Sequence, residues 1–122
     1  MVARTCPISG RMGVMDTAAV AVDPFLKYLR DALMELYGPG LDRAVLFGSR
    51  ARGDAGEHAD YDVAVFLRDV RPGMADWYRL ADLRTRILEA GGPFVEAIPF
   101  PSSDYDRRTP IMGEIRRDGV IL

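Results

Sequence analysis

Asp60 and Asp62 stand two residues apart at the head of an apolar run, Tyr61 to Leu67. The pair Gly48-Ser49 closes another apolar run, and ten residues separate Ser49 from Asp60. In an extended strand, residues two apart project from one face. Both carboxylates therefore share a side, and Tyr61 and Val63 take the other. Adjacent carboxylates repel each other unless a cation lies between them, and oxygen donors completed by phosphate oxygens suit Mg²⁺. Gly48-Ser49, at a turn from strand into helix, offers unpaired N–H groups and the positive end of a helix dipole. Gly48 lets a phosphate approach the backbone, and Ser49 adds a hydroxyl. Taken singly, Gly48-Ser49 is also a plain strand-to-helix cap, and Asp60-Tyr61-Asp62 is also a solvated strand entrance. Together they describe a nucleoside-triphosphate site built from a short piece of chain.

Three further residues bear on that chemistry. Glu96 interrupts an apolar run between Val95 and Ala97, on the face of Phe94 and Ile98. It is either a charge that keeps an edge strand soluble or a third acidic member of the site, as metal ligand or as base for an attacking hydroxyl. Arg50 and Arg52 flank the turn. Guanidinium groups make forked contacts with phosphate oxygens, so both are candidates to neutralise a triphosphate or guide its approach; both also fit as surface arginines. His58, the only histidine, reads as a loop residue. The spacing of Arg52 and His58 matches an arginine–histidine pattern of HEPN ribonucleases, but that pattern works on a helix and the residues between these two are loop-forming. Trp77 and the tyrosines read as core or rim residues rather than base-stacking platforms.

The elements that must position these residues follow from periodicity and punctuation. Asp23-Pro24 caps and opens a helix whose apolar stripe is Phe25, Leu29, Leu33 and Leu36, stopped by Gly38-Pro39-Gly40. Arg43 to Phe47 reads as a strand and Ser49 to Arg52 as one helical turn. Gly53 to Ala59 reads as loop, and Tyr61 to Leu67 as a strand covered on both faces. A helix follows with Asp76 as cap and Trp77, Leu80, Leu83, Ile87 and Leu88 as its buried stripe. Phe94 to Ile98 reads as a third strand closed by Pro99 and Pro101. Thr109-Pro110 opens a last helix carrying Ile111 and Ile115, ended by Gly119, and Val120-Ile121-Leu122 packs on the core. Helices alternating with strands make this α/β.

A chain of 122 residues is one domain by length. The formal net charge of −2 disfavours a protein that grips nucleic acid through its phosphates. The single cysteine, Cys6, allows no intrachain disulfide and fits a reducing, cytoplasmic setting. No apolar run reaches membrane-spanning length. Residues 1–22 read as a disordered N-terminal extension, with Met12 and Met15 as alternative starts and a cleaved signal peptide as the weaker reading; residues 23–122 form the domain.

The Gly48-Ser49 pair, the Arg-Ala-Arg-Gly after it, the ten-residue spacing, and Asp60-Tyr61-Asp62 running into Val63-Ala64-Val65 resemble the signature of minimal nucleotidyltransferases. These are small members of the DNA polymerase β-like superfamily. The resemblance extends over residues 25–122, to the ending Glu-Ile-Arg-Arg-Asp-Gly-Val-Ile-Leu. It implies a polymerase β palm-like α/β fold, a small mixed sheet of three or more strands flanked by helices. It also implies that Gly48 and Ser49 hold the β- and γ-phosphates of ATP, and that Asp60 and Asp62 bind two Mg²⁺ ions. Glu96 would stand where the family has a third carboxylate, usually aspartate; its extra methylene and Ala59 in place of a common serine are departures. Many such proteins are antitoxins that transfer AMP from ATP to a tyrosine of a HEPN ribonuclease toxin on a separate chain. Two other readings stay open: a non-catalytic antitoxin that masks its toxin by contact, and an adenylyltransferase for a small molecule, although such enzymes usually carry an added helical domain. Self-association is left open as well.

Overall fold

The computed structural model describes residues 23–53 and 60–122. The readings of residues 1–22, His58 and Ala59 therefore lie outside the described residues. The elements are α1 (Pro24–Tyr37), β1 (Leu41–Phe47), α2 (Ser49–Arg52), β2 (Tyr61–Leu67), α3 (Ala75–Glu89), β3 (Val95–Pro101), α4 (Pro110–Asp118) and β4 (Val120–Ile121). Short 3₁₀ turns occupy Gly38–Gly40 and Ser102–Asp106. The strands form one mixed sheet in the order β3-β2-β1-β4. β1 is antiparallel to both β2 and β4, and β2 is parallel to β3. The architecture is the α/β sheet flanked by helices that the sequence predicts.

Local chemistry accounts for most element ends. Asp23 caps α1, its Oδ1 accepting from the N–H of Phe25 at 3.0 Å and of Leu26 at 3.4 Å. Thr109 caps α4 in the same way, its hydroxyl accepting from the Met112 N–H at 3.3 Å. Prolines stand in the first turns of both helices, where no N–H partner is lost.

The sheet has two unequal faces. On one, Tyr61, Val63, Val65 and Leu67 of β2 pack with Phe25, Leu26, Leu29 and Leu33 of α1 and with Leu80, Leu83 and Ile87 of α3. Each of these large side chains contributes roughly 1.5–3 kcal/mol by leaving water. On the other face, Ala64 and Phe66 meet Val45, Phe47, Met112 and Ile115, with Ile98, Phe100 and Tyr105 at the margin. This second core is smaller because one nine-residue helix, α4, covers it.

Several expectations are corrected. β1 begins at Leu41, two residues before Arg43. β3 runs on through Pro99 and Pro101, which stand opposite Val65 and Leu67; an edge strand tolerates proline because the missing N–H faces no partner. Asp76 is not the cap of α3. It lies inside the first turn, 2% exposed, and its Oδ2 accepts from the Arg71 N–H at 2.8 Å. Trp77 and Leu88 are each 44% exposed, so the buried stripe is Asp76, Leu80, Leu83 and Ile87. Ile111 is likewise exposed, and Met112 takes its place in the core. In each helix the apolar pattern is wider than the face that the sheet covers. The terminal apolar residues do more than pack: Val120 and Ile121 add a fourth strand to β1.

Candidate active site

The site forms where β1 ends and β2 begins, an adjacency created by their antiparallel pairing. Phe47 stands opposite Asp62 in that register, so Gly48 follows directly beside the Asp62 carboxylate. Gly48 has φ 80° and ψ −159°, a conformation open essentially to glycine alone. A Cβ there would sit 2.6 Å from Asp62 Oδ2. Position 48 is thus closed to side chains twice over, by backbone conformation and by the carboxylate. α2 begins at once with Ser49, half-buried, and ends at Gly53, whose N–H returns to the Ser49 carbonyl at 3.0 Å.

The parallel register sets Glu96 of β3 beside Asp62 of β2, as the shared-face reading of the sequence expects. Asp60, exposed, precedes the strand; the Tyr61 N–H donates to the Phe94 carbonyl at 3.1 Å and anchors this end of β2 to β3. The Asp62 carboxyl is held above the usual aspartate range. Burial is the largest cause, followed by the charges of Asp60, Glu96 and Glu114, with Arg52 acting in the opposite sense. Like charges and partial desolvation both penalise the ionised form.

As they stand, no three histidine, cysteine, aspartate or glutamate side chains among the described residues are grouped so as to hold a metal ion. The expected convergence of Asp60, Asp62 and Glu96 is not formed as such a group: Asp62 and Glu96 stand side by side in register, and the charges of Asp60 and Glu96 both act on Asp62. The donor set nevertheless fits Mg²⁺: it is all carboxylate oxygen, the charges of Asp60 and Glu96 raise the proton affinity of Asp62, and backbone without a side chain lies against Asp62. A divalent cation would relieve that repulsion, with phosphate oxygens completing its shell.

The two arginines part company. Arg52 stays on the carboxylate face, its Nη1 3.1 Å from Glu114 Oε2. Arg50 turns the other way. It is 9% exposed, with its guanidinium 4.1 Å from the centre of the Tyr61 ring, and Tyr61 belongs to the core on the opposite face from Asp62. The Arg50 guanidinium, expected at the phosphates, packs at that core. The cause is the length of α2: in a single turn, residues two apart diverge around the axis. Glu114 is the residue that sequence reasoning missed. It lies on α4, next to the buried Ile115, and only the docking of α4 on β1 brings it to Arg52. Its one signal in the sequence is a charge at the edge of an apolar stripe.

Residues 33–122 match the family model described as polymerase beta, nucleotidyltransferase. No curated protein is significantly similar to the chain. Among solved structures, the fold is similar to a toxin-antitoxin MntA-HpeT mutant with a tyrosine-to-alanine change. The TM-score is 0.54 at 23% identity, over 79% of this chain and 70% of that one. A second MntA-HpeT structure, with two aspartates two positions apart both replaced by glutamate, gives a TM-score of 0.55 at 19% identity, over 78% of this chain and 70% of that one. A toxin-antitoxin structure with AMP-PNP gives 0.54 at 22% identity, over 76% and 68%. No helix among the described residues is long and apolar enough to cross a membrane.

Proposed function

The chain belongs to the polymerase beta nucleotidyltransferase family, and from that premise we propose that it transfers AMP from ATP to a hydroxyl of a partner protein, a tyrosine of a HEPN-type toxin, and so acts as an antitoxin. The observation that carries the transfer chemistry is the setting of Asp62, wedged between side-chain-free Gly48 and the neighbouring Glu96. The aspartate pair altered in one MntA-HpeT structure has the spacing of Asp60 and Asp62, and another similar structure holds an ATP analogue. Both support the reading.

In this reading Asp60 and Asp62, with Glu96 beside them, hold divalent cations. When bound, Mg²⁺ supplies charge stabilisation at the α-phosphate and the leaving pyrophosphate and lowers the pKa of the attacking hydroxyl. Gly48 admits the phosphate chain to the backbone, and the Ser49 hydroxyl donates to it, holding the tail in line. Arg52 adds positive charge on the same side. A bond forms from the acceptor oxygen to the α-phosphorus as the α-phosphorus–oxygen bond to pyrophosphate breaks. The acceptor proton passes to a carboxylate oxygen of Glu96. Most of this catalysis is positioning and electrostatics.

The test is co-expression with the neighbouring reading frame, followed by intact-mass analysis of both proteins. The wild type with ATP and Mg²⁺ should add AMP to its partner and silence the partner's ribonuclease activity. Asp60→Asn with Asp62→Asn should lower the modification rate by more than the roughly 10–100-fold that even outer-shell changes cost a metal site. Neutralisation with no added AMP, and equally by the double variant, would establish a masking antitoxin instead.

A further inference from the structure

We infer that Glu114 is a latch on Arg52: it holds the guanidinium at the mouth of the site in the nucleotide-free protein and gives it up to the triphosphate. The inference rests on the proposed triphosphate site and deepens it.

The geometry is specific. Arg52 closes the same single turn that Ser49 opens. Its Nη1 reaches across to α4 and meets Glu114 Oε2 at 3.1 Å, a contact between residues 62 positions apart in the chain. The two side chains are 40% and 33% exposed, so water remains available to both. Such a pair is worth only about 0.2–1 kcal/mol, whereas a forked guanidinium–phosphate contact is charge-assisted and stronger. The exchange of partners is therefore downhill. Both members also belong electrically to the site, since the charges of Glu114 and Arg52 act on Asp62 in opposite directions. A fourth carboxylate at the mouth repels an incoming anion unless Arg52 masks it, and Arg52 cannot fully serve Glu114 and a phosphate together. The latch thus sets a threshold on nucleotide entry while keeping the guanidinium where it will be needed.

Calorimetric titration of Mg-ATP into the wild type, Glu114→Gln, Arg52→Ala and the double variant tests this. Removing the latch charge should tighten Mg-ATP binding, by up to about fivefold, the upper worth of an exposed ion pair. On the Arg52→Ala background the same change should give no gain, because nothing is left to release. Glu114→Ala should behave as Glu114→Gln does, and melting curves should match the wild type for both. Equal tightening with and without Arg52 would mean that Glu114 acts only through its field, and would overturn the latch. Weaker binding by Glu114→Gln would overturn it too, by making Glu114 a support for the site. If the wild type binds no Mg-ATP, the triphosphate reading itself fails. If the wild type binds and Ser49→Ala and Asp62→Asn weaken that binding, a missing Glu114 effect removes the latch alone.

Discussion

The two faces of β2 differ by one residue of phase and by everything that follows from it. Tyr61, Val63, Val65 and Leu67 enter a core roofed by two long helices. Asp62, Ala64 and Phe66 enter one roofed by a single short helix. On the first face apolar packing continues to the end of the strand, where the Tyr61 ring meets Phe25 at 4.8 Å and the Arg50 guanidinium at 4.1 Å. On the second it stops after Ala64, and carboxylates take over. The site occurs where the apolar cover runs out, so its charges stay partly hydrated yet feel one another. A face filled to the end buries enough surface to stabilise the domain. A face left open at one end gives up some stability to gather groups that are uncomfortable together.

Neighbouring substitutions in β2 should break this contrast most sharply. Val63→Asp puts an unpaired charge into the larger core, where Val63 is fully buried. A cost of several kcal/mol is expected, a large share of the roughly 5–15 kcal/mol that holds a domain together. Circular dichroism should find the variant largely unfolded at ambient temperature.

One residue away, Asp62→Asn should act in the opposite sense on stability while abolishing transfer. The folded-state pKa of Asp62 is raised, so between the ordinary aspartate range and that raised value the folded protein binds more protons than the unfolded chain. Stability is then fully present below the ordinary range and is lost as pH rises through the folded value. In metal-free buffer the wild-type melting temperature should fall across that window, and Asp62→Asn should flatten the fall and melt higher at neutral pH. Added Mg²⁺ should narrow the gap by binding the folded wild type. A melting temperature below that of the wild type at neutral pH would refute the idea that this face holds strain.

The smallest effect is expected at a polar spot within the well-covered face. The Tyr37 hydroxyl is pushed up to about 12, first by burial and then by the charge of Asp76. The Tyr37 hydroxyl and Asp76 Oδ1 are both buried, and the two side chains lie close enough to interact. Here too stability should be lost as pH rises, from the ordinary tyrosine value near 10 through 12. Tyr37→Phe should leave neutral stability within about 1 kcal/mol of the wild type and remove that part of the alkaline loss, as read by melting at pH 7 and pH 11.

Much of this was legible from local pattern. The strand period put Asp62 on one side and Tyr61 and Val63 on the other. The Asp23 and Thr109 caps marked two helix starts, and Gly48-Ser49 marked the turn. These depend on interactions within a few residues, which a sequence displays directly. The helix faces of Trp77, Leu88 and Ile111 were misjudged because an apolar residue at the edge of a stripe is buried or exposed according to what lies opposite. Asp76 looked like a cap because its type suits one, but the turn before α3 set it a position deeper and gave its oxygen to the Arg71 N–H.

The site divides along the same line. Residue types and the spacing from Gly48 to Asp62 were enough to bring the Gly48-Ser49 turn and the Asp62 carboxylate together, and Glu96 could be added from the phase of its strand. Only the tertiary structure decided that Gly48 must be bare because Asp62 Oδ2 occupies the space of its Cβ, that Arg50 turns to Tyr61 while Arg52 stays at the mouth, and that Glu114 joins from α4. Those three outcomes depend on strand register and helix docking. Such contacts lie far apart along the chain, and their geometry is set by how the whole core closes rather than by any neighbouring residue.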